Sequence, residues 1–338
     1  MRIVCSLGDP HGIGPEVILK SFLKMQRCGH SMVVAGSLQV MKFYRHLLGL
    51  PIELERIDAP ALSQNLPPCS CGVLPVISVA EPETILPGTL SAEAGALAIQ
   101  SLQCAAELCR DGICDALVTA PIHKEALALA GCKDTGHTGF LGRMFGVPSP
   151  IMMFADARTG LKVALATIHE PISRVPSLIS SMDLEGFLRQ LSGALKRDFA
   201  INEPSLAVLG LNPHASDGGV MGSEEGAVIS PAIERLHNAG MHIEGPFPAD
   251  GFFGSSRWKH YDGVVAMYHD QGLLPFKVMA FESGVNVTLG LPIVRTSPDH
   301  GTGFDRAGTG TASEESFYEA AMLAISIAQH RNPTGPVQ

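Results

Sequence analysis

The chain has 338 residues, enough for about two domains with a core in each. Only 17% of the residues are charged while 46% are hydrophobic, which excludes a disordered or charge-solvated chain. Acidic residues outnumber basic ones, 33 against 24, and no basic run is visible. Nucleic acid is therefore not an expected partner, and small molecules are.

Arg2–Ser6 reads as the first strand. A glycine-rich turn follows, and Pro15 sits where its missing N–H is harmless, in the first turn of a helix. Further strands are predicted at Met32–Ala35, Ala116–Thr119, Val163–Ile168, Leu206–Leu209 and Gly263–Met267. Helices are predicted over Ser91–Cys109, Asp183–Lys196, Glu224–Asn238 and Ser313–Gln329. Short β-branched runs alternating with Ala- and Leu-rich helices predict an α/β fold, a parallel sheet with crossover helices. The 36 glycines and 24 prolines are dispersed, so no flexible linker marks a boundary; two lobes that share strands are expected. Eight cysteines lie between Cys5 and Cys132 without a C-x-x-C pair, as expected of reduced, buried thiols in the cytoplasm. No apolar run reaches the ~18 residues of a membrane span, and the amino terminus is too short in apolar residues for a signal peptide.

Three of the thirteen histidines share one context. His169, His214 and His269 each fall just past the carboxyl end of a predicted strand, whereas His30, His46, His237, His242 and His330 lie in stretches without polar company. In a parallel sheet those ends face one crevice, where ligands bind, so the three imidazoles are candidate ligands of a catalytic metal with open positions. The alternative is that each histidine caps its strand or satisfies a local carbonyl.

Other polar residues accompany them. Asp270, Gln271 and Gly272 follow His269, with Lys277 one or two helical turns on. The loop Ala215-Ser-Asp-Gly-Gly219 after His214 is able to present backbone N–H groups to an anion. Asp134-Thr-Gly-His-Thr-Gly139 begins a helix whose amino end attracts a phosphate or carboxylate, with His137 and Thr138 in it. Asn286 and Arg295 flank a strand-like run and complete an anion clamp; for Lys277 and Arg295 the alternative is a solvated charge. Gly12-Ile-Gly14 has Val17 where a dinucleotide fingerprint needs a third glycine, and Walker, G-x-S-x-G and H-E-x-x-H motifs are missing.

Seven segments carry a resemblance: Gly8-Asp-Pro-His-Gly-Ile-Gly-Pro-Glu16, Thr119-Ala-Pro-Ile-His-Lys124, Thr135-Gly-His-Thr138, Gly210-Leu-Asn-Pro-His-Ala215, Ala266-Met-Tyr-His-Asp-Gln-Gly272, Gly284-Val-Asn-Val-Thr-Leu-Gly-Leu-Pro292 and Asp299-His-Gly-Thr302. On these the chain resembles the 4-hydroxythreonine-4-phosphate dehydrogenase family of pyridoxal 5′-phosphate biosynthesis along nearly its whole length. It departs from the family's usual residues at His11, Gly139, Val220 and Ser223.

The resemblance implies a two-lobed α/β/α fold of the isocitrate/isopropylmalate dehydrogenase type, with the active site in the interlobe cleft. Residues 1–125 and 280–338 are expected in the larger lobe, with the NAD loop. Residues 126–279 are expected in the smaller one, with most metal and substrate residues and a dimer interface. It implies a divalent metal, zinc first and magnesium or cobalt as alternatives, on His169, His214 and His269. Substrate falls to His137, Thr138, Lys277, Asn286 and Arg295, and NAD, or NADP, to the loop with Asp299, His300, Gly301, Thr302 and Asp305. Asp250, Asp270 and Lys277 are the catalytic candidates, the two carboxylates as proton relays. The implied enzyme is a cytoplasmic homodimer with shared sites that oxidises a phosphorylated hydroxy-amino acid at C3. Alternatives are a paralogue acting on a phosphothreonate- or phosphoerythronate-type acid, a metal hydrolase, and a non-catalytic phosphometabolite sensor.

Overall fold

The computed structural model describes residues 1–58, 67–134 and 136–332. Thr135 of the segment Thr135–Thr138 and residues 333–338 of the expected larger lobe lie outside the described residues. The chain divides into two compact units, Met1–Pro150 with Leu291–Gln338, and Ile151–Gly290.

In chain order the first unit contains β1 (Arg2–Ser6), α1 (Gly14–Met25), β2 (Ser31–Gly36), α2 (Leu38–Leu47), β3 (Glu53–Arg56), β4 (Val73–Ser78), α3 (Ala92–Arg110), β5 (Ala116–Thr119), α4 (Lys124–Leu129) and α5 (His137–Phe145). The second unit contains β6 (Ile151–Ala155), β7 (Lys162–Leu165), α6 (Val175–Ser181), α7 (Leu184–Phe199), β8 (Leu206–Leu209), α8 (Ser230–Asn238), β9 (Ile243–Phe247), α9 (Ala249–Gly254), β10 (Gly263–Ala266), α10 (His269–Ala280) and β11 (Val285–Leu289). The chain then returns to the first unit with β12 (Arg295–Pro298) and α11 (Glu315–Arg331).

The first unit's strands run parallel in the order β3, β4, β2, β1, β5, β12. Central β1 is buried on both faces, which suits its run Ile3-Val-Cys5, while edge β3 is charged and largely exposed. From β1 the chain first builds outward through β2 and later returns to β5 on the other side. The carboxyl ends of β1 and β5 therefore flank a topological switch point, the usual position of a ligand crevice in such sheets. Helix α3 is capped by the Ser91 hydroxyl, which accepts from Ala94 N–H at 3.0 Å. It packs against α4 so closely that a Cβ on Gly95 would stand 2.1 Å from the Ala126 carbonyl oxygen.

The second unit orders its strands β11, β6, β7, β10, β8, β9. The pairs β11–β6 and β6–β7 are antiparallel; β7, β10, β8 and β9 are parallel. Its core gathers Val163, Leu165, Ala207, Leu209, Val264 and Ala266 of the sheet with Leu273 and Phe276 of α10. Full burial of a side chain such as Phe276 contributes about 2–3 kcal/mol. A Cβ on Gly272 would meet Val163, Ala266 and Leu165 side chains within 3.0 Å, so its absence lets α10 press onto β7 and β10.

Several expectations move. A boundary at residue 125 would cut α4 and one at 280 would fall on the last residue of α10, so the divisions lie instead in the connections at 150 and 290. His137 and Thr138 consequently belong to the first unit. Asn286 and Arg295 do not flank one strand: each lies in a strand of its own, β11 and β12, in different units. The strand expected over Val163–Ile168 ends at Leu165, and the helix expected over Glu224–Asn238 opens with a wide turn at 225–229 before α8.

Candidate functional site

In the first unit the residues with the most chemistry stand beyond β1, β5 and β12. Asp9 is 1% exposed; its Oδ1 accepts from the His11 amide at 2.9 Å, while Oδ2 is buried with no hydrogen-bond partner among the described residues. Burial pushes its carboxyl upward against the lowering pull of that amide and of the His11 and His123 rings. The His123 ring stacks on Phe304, centroids 4.7 Å apart, and its Nδ1 is likewise buried and unpartnered among the described residues.

The segment 299–305, expected to hold NAD, lies on two glycines. A Cβ on Gly12 would stand 2.8 Å from the Thr302 carbonyl oxygen, and one on Gly88, at φ +77°, the same distance from that of Phe304. The Ile13 amide donates to the Thr302 carbonyl at 2.9 Å, and the Asp299 amide to the Ser316 hydroxyl at 3.0 Å. His300 Nδ1 stands 3.0 Å from the Gly301 carbonyl, and Asp305 is exposed. A segment held by its backbone, with carboxylates and imidazoles beside it, is chemistry a dinucleotide can use.

The anion-binding candidates of this unit meet. Arg295 is 3% exposed, and its Nη2 donates to the Thr119 hydroxyl at 2.7 Å. Burial pulls its guanidinium down to about 9, still above neutral pH, so it remains a cation. His137 opens α5. One ring nitrogen donates to the Ala120 carbonyl, while Nε2 is buried without a partner among the described residues. Burial, and then the Arg295 charge, hold this imidazole well below its ordinary value, so it is neutral. The cap residue Gly136 has no side chain with which to accept from the first-turn N–H groups, and among the described residues the helix has no side-chain cap, so its amino end suits an anion. Asp134, expected to begin this helix, instead pairs with Arg143 at 2.5 Å.

In the second unit His169, His214 and His269 follow β7, β8 and β10, which are neighbours in the sheet. The His169 and His269 rings lie 5.5 Å apart between centroids. Asp270 Oδ1 stands 2.7 Å from His269 Nδ1, which fixes that nitrogen as the donor and leaves Nε2 as the free lone pair. His214 sits on a turn in which His214, Ala215, Ser216 and Asp217 all take left-handed φ values between 46° and 68°. Buried Glu225 holds the base of that turn: its Oε1 accepts the Asn212 amide at 2.7 Å and its Oε2 the Asn212 side-chain amide at 2.8 Å. Neutral imidazoles suit zinc or cobalt better than magnesium, which prefers oxygen. Among the described residues of one chain, however, no three His, Cys, Asp or Glu side chains stand close enough together to hold a metal ion.

Lys277 lies half-buried in the last turn of α10. Asn286 faces Phe154 across the β11–β6 pair with its Oδ1 buried and unpartnered among the described residues. Asp250 is exposed in the first turn of α9. Sequence reasoning passed over Asp9, His123, Thr167 and Glu225, and noted Gln271 only as a polar neighbour of His269. Asp9, His123 and Gln271 lie inside segments it had noted, but nothing local distinguishes them from their neighbours.

A sequence model of the family described as "Pyridoxal phosphate biosynthetic protein PdxA" matches residues 28–324. A 4-hydroxythreonine-4-phosphate dehydrogenase of Prosthecochloris aestuarii is 56% identical over 331 residues, covering 96% of this chain and 97% of the relative. The crystal structure of the enzyme of that name from Klebsiella pneumoniae superposes with a TM-score of 0.83 at 37% identity, over 97% of this chain and 99% of the other. A terephthalate 1,2-cis-dihydrodiol dehydrogenase from Burkholderia xenovorans shares the fold more distantly, with a TM-score of 0.64 at 28% identity over 96% and 98% of the chains. The chain belongs to the PdxA family of pyridoxal phosphate biosynthetic proteins and is, like its relatives, an oxidoreductase.

Proposed function

We propose that the protein oxidises 4-hydroxythreonine 4-phosphate at C3 with NAD, assisted by a divalent metal. A hydride passes from C3 to NAD and a proton leaves the hydroxyl oxygen on C3, and the resulting 3-keto acid has its carboxylate β to the ketone. Loss of carbon dioxide leaves an enolate, which takes up a proton at C2 to give 3-amino-2-oxopropyl phosphate. The observation that carries the substrate class is the buried Arg295 cation beside neutral His137 at the uncapped head of α5, a site built for a phosphate.

Arg295, His137 and Thr138 bind the phosphate, and Lys277 and Asn286 hold the remaining polar groups of the substrate. His169, His214 and His269 hold the metal, for which zinc fits the donors best. A divalent ion there would supply Lewis acidity for oxidation of the C3 alcohol. Bound NAD supplies the hydride acceptor, beside the segment carrying Asp299, His300, Gly301, Thr302 and Asp305. Asp270 acts through His269 by orienting its ring, which leaves Asp250 and Lys277 as the groups that move the proton.

Two observations favour a homodimer. One chain does not gather three ligands by itself among its described residues. The helix that begins with His269 also exposes an apolar stripe: Leu274 is 68%, Val278 81% and, just past its end, Phe281 77% exposed. A second copy covering that stripe would approach the histidines.

The experiment is to incubate the protein with NAD and zinc and follow absorbance of the reduced cofactor. Candidate substrates are 4-hydroxythreonine 4-phosphate, its unphosphorylated analogue, a phosphothreonate and a cis-dihydrodiol. Reduction with the first alone supports the proposal. Preference for the phosphothreonate assigns a paralogue, and equal use of the unphosphorylated compound removes the phosphate site.

A further inference from the structure

The ends of the strands that precede the three histidines are tied to the backbone of one residue, Met267, on one side directly and on the other through a side chain. Between β10 and β7 the pairing continues past the last ladder pair, Ala266 with Leu165. The Ala166 amide donates to the Ala266 carbonyl at 2.8 Å and the Thr167 amide to the Met267 carbonyl at 3.2 Å. The Thr167 hydroxyl adds a second donor to the same carbonyl at 2.7 Å.

On the other side β10 and β8 part company. Their ladder ends with Val265 opposite Val208, and continuing that register would set Met267 opposite Gly210. The side-chain amide of Gln271 stands between those two instead. Its Oε1 accepts the Met267 amide at 2.7 Å and its Nε2 donates to the Gly210 carbonyl at 2.6 Å. An inserted amide keeps both backbone groups satisfied while it spreads the strands apart, so the gap costs no unpaired hydrogen bond.

His269 begins two residues after Met267, His169 two after Thr167, and His214 four after Gly210. We infer that Gln271 and Thr167 are positioning residues for the histidine ligands: Gln271 holds the backbone N–H of Met267 and Thr167 its carbonyl, and together they fix the splay of the three loops. This rests on the reading of His169, His214 and His269 as metal ligands. Outer residues of this kind set metal affinity by orienting ligands they do not touch.

The test is equilibrium binding of Co²⁺ alone to the full chain, followed by the visible absorption of the bound ion, with the melting temperature of the metal-free protein measured alongside. Gln271→Leu removes both hydrogen bonds at nearly constant volume, Thr167→Val removes the hydroxyl isosterically, and Thr167→Ser restores it. The expected result is a dissociation constant raised roughly tenfold or more by Gln271→Leu and Thr167→Val, with Thr167→Ser close to the parent protein. A change in melting temperature with unchanged Co²⁺ affinity in both variants overturns the inference, since that is what a merely structural bond would give. His169→Ala, His214→Ala and His269→Ala serve as the reference. If they lose Co²⁺ while Gln271→Leu and Thr167→Val do not, the metal reading stands and the positioning role falls. If they keep it, both fall.

Discussion

The Arg295 guanidinium donates to the Thr119 hydroxyl, 2.7 Å away, across the pairing of β12 with β5. That contact turns a buried cation toward the carboxyl ends of both strands. A charge-assisted contact to phosphate contributes about 1.5–3 kcal/mol, or roughly ten- to a hundredfold in binding. Arg295→Met, which keeps most of the volume, is expected to raise KM for the phosphorylated substrate by that factor and to leave KM for NAD nearly unchanged. Lys277→Ala should act in the same direction. Steady-state kinetics with both substrates varied decides it; equal losses toward NAD would mean that the cation is structural.

His137 gives stability a pH dependence of known sign. Its folded value is depressed below 6.5, so the unfolded chain takes up a proton that the folded one refuses. The contribution is fully present above pH 6.5 and is lost as pH falls from there toward the folded value, at up to about 1.4 kcal/mol per pH unit. Urea unfolding at about pH 7.5 and about pH 5.5 should show this loss in the parent and a smaller one in His137→Gln. Identical slopes would place the acid sensitivity elsewhere.

Asp9 behaves in the opposite sense. Burial raises its carboxyl above 3.8, so its contribution is most favourable below that pH and is lost as pH rises through the folded value. At neutral pH the buried charge opposes folding. Asp9→Asn keeps an oxygen for the His11 amide and removes the charge, so melting temperature should rise at neutral pH by roughly 2–4 °C, the shift that about 1 kcal/mol gives in a unit of 150–250 residues. In strong acid the difference should vanish. Scanning calorimetry at the two pH values measures both.

The stripe on α10 predicts assembly. Val278→Asp with Phe281→Asp places two charges on side chains that are now apolar and exposed, and should convert a dimer to a monomer. Sedimentation velocity reads the outcome directly. A doubly substituted protein that sediments as the parent does would assign the interface to another face.

Strands buried on both faces were legible from sequence because their apolar runs are continuous: Arg2–Ser6, Ala116–Thr119 and Leu206–Leu209 lie where their residues predict. β12, Arg-Thr-Ser-Pro, has Pro298 as its one apolar residue although all four are buried, and β3, Glu-Leu-Glu-Arg, sits at a sheet edge; neither carries a pattern that reads as a strand. The histidines stood out because a polar residue ends each apolar run. Gln271 and Thr167 did not, since their meaning depends on where two strands stop pairing, and that register is set by tertiary packing. Likewise, no local signal tells that Asp9 is buried or that Arg295 reaches Thr119.

The left-handed turn at 214–217 limits what this chain can become. L-residues in that conformation cost about 1–2 kcal/mol each, and glycine would enter almost freely. Random drift should therefore push Ala215, Ser216 and Asp217 toward glycine, while β-branched replacements are shut out by their own Cβ. At position 214 the same drift would erase an imidazole. The Glu225 carboxylate, gripping Asn212 from thirteen residues downstream, is what lets a histidine persist at a place whose backbone prefers no side chain.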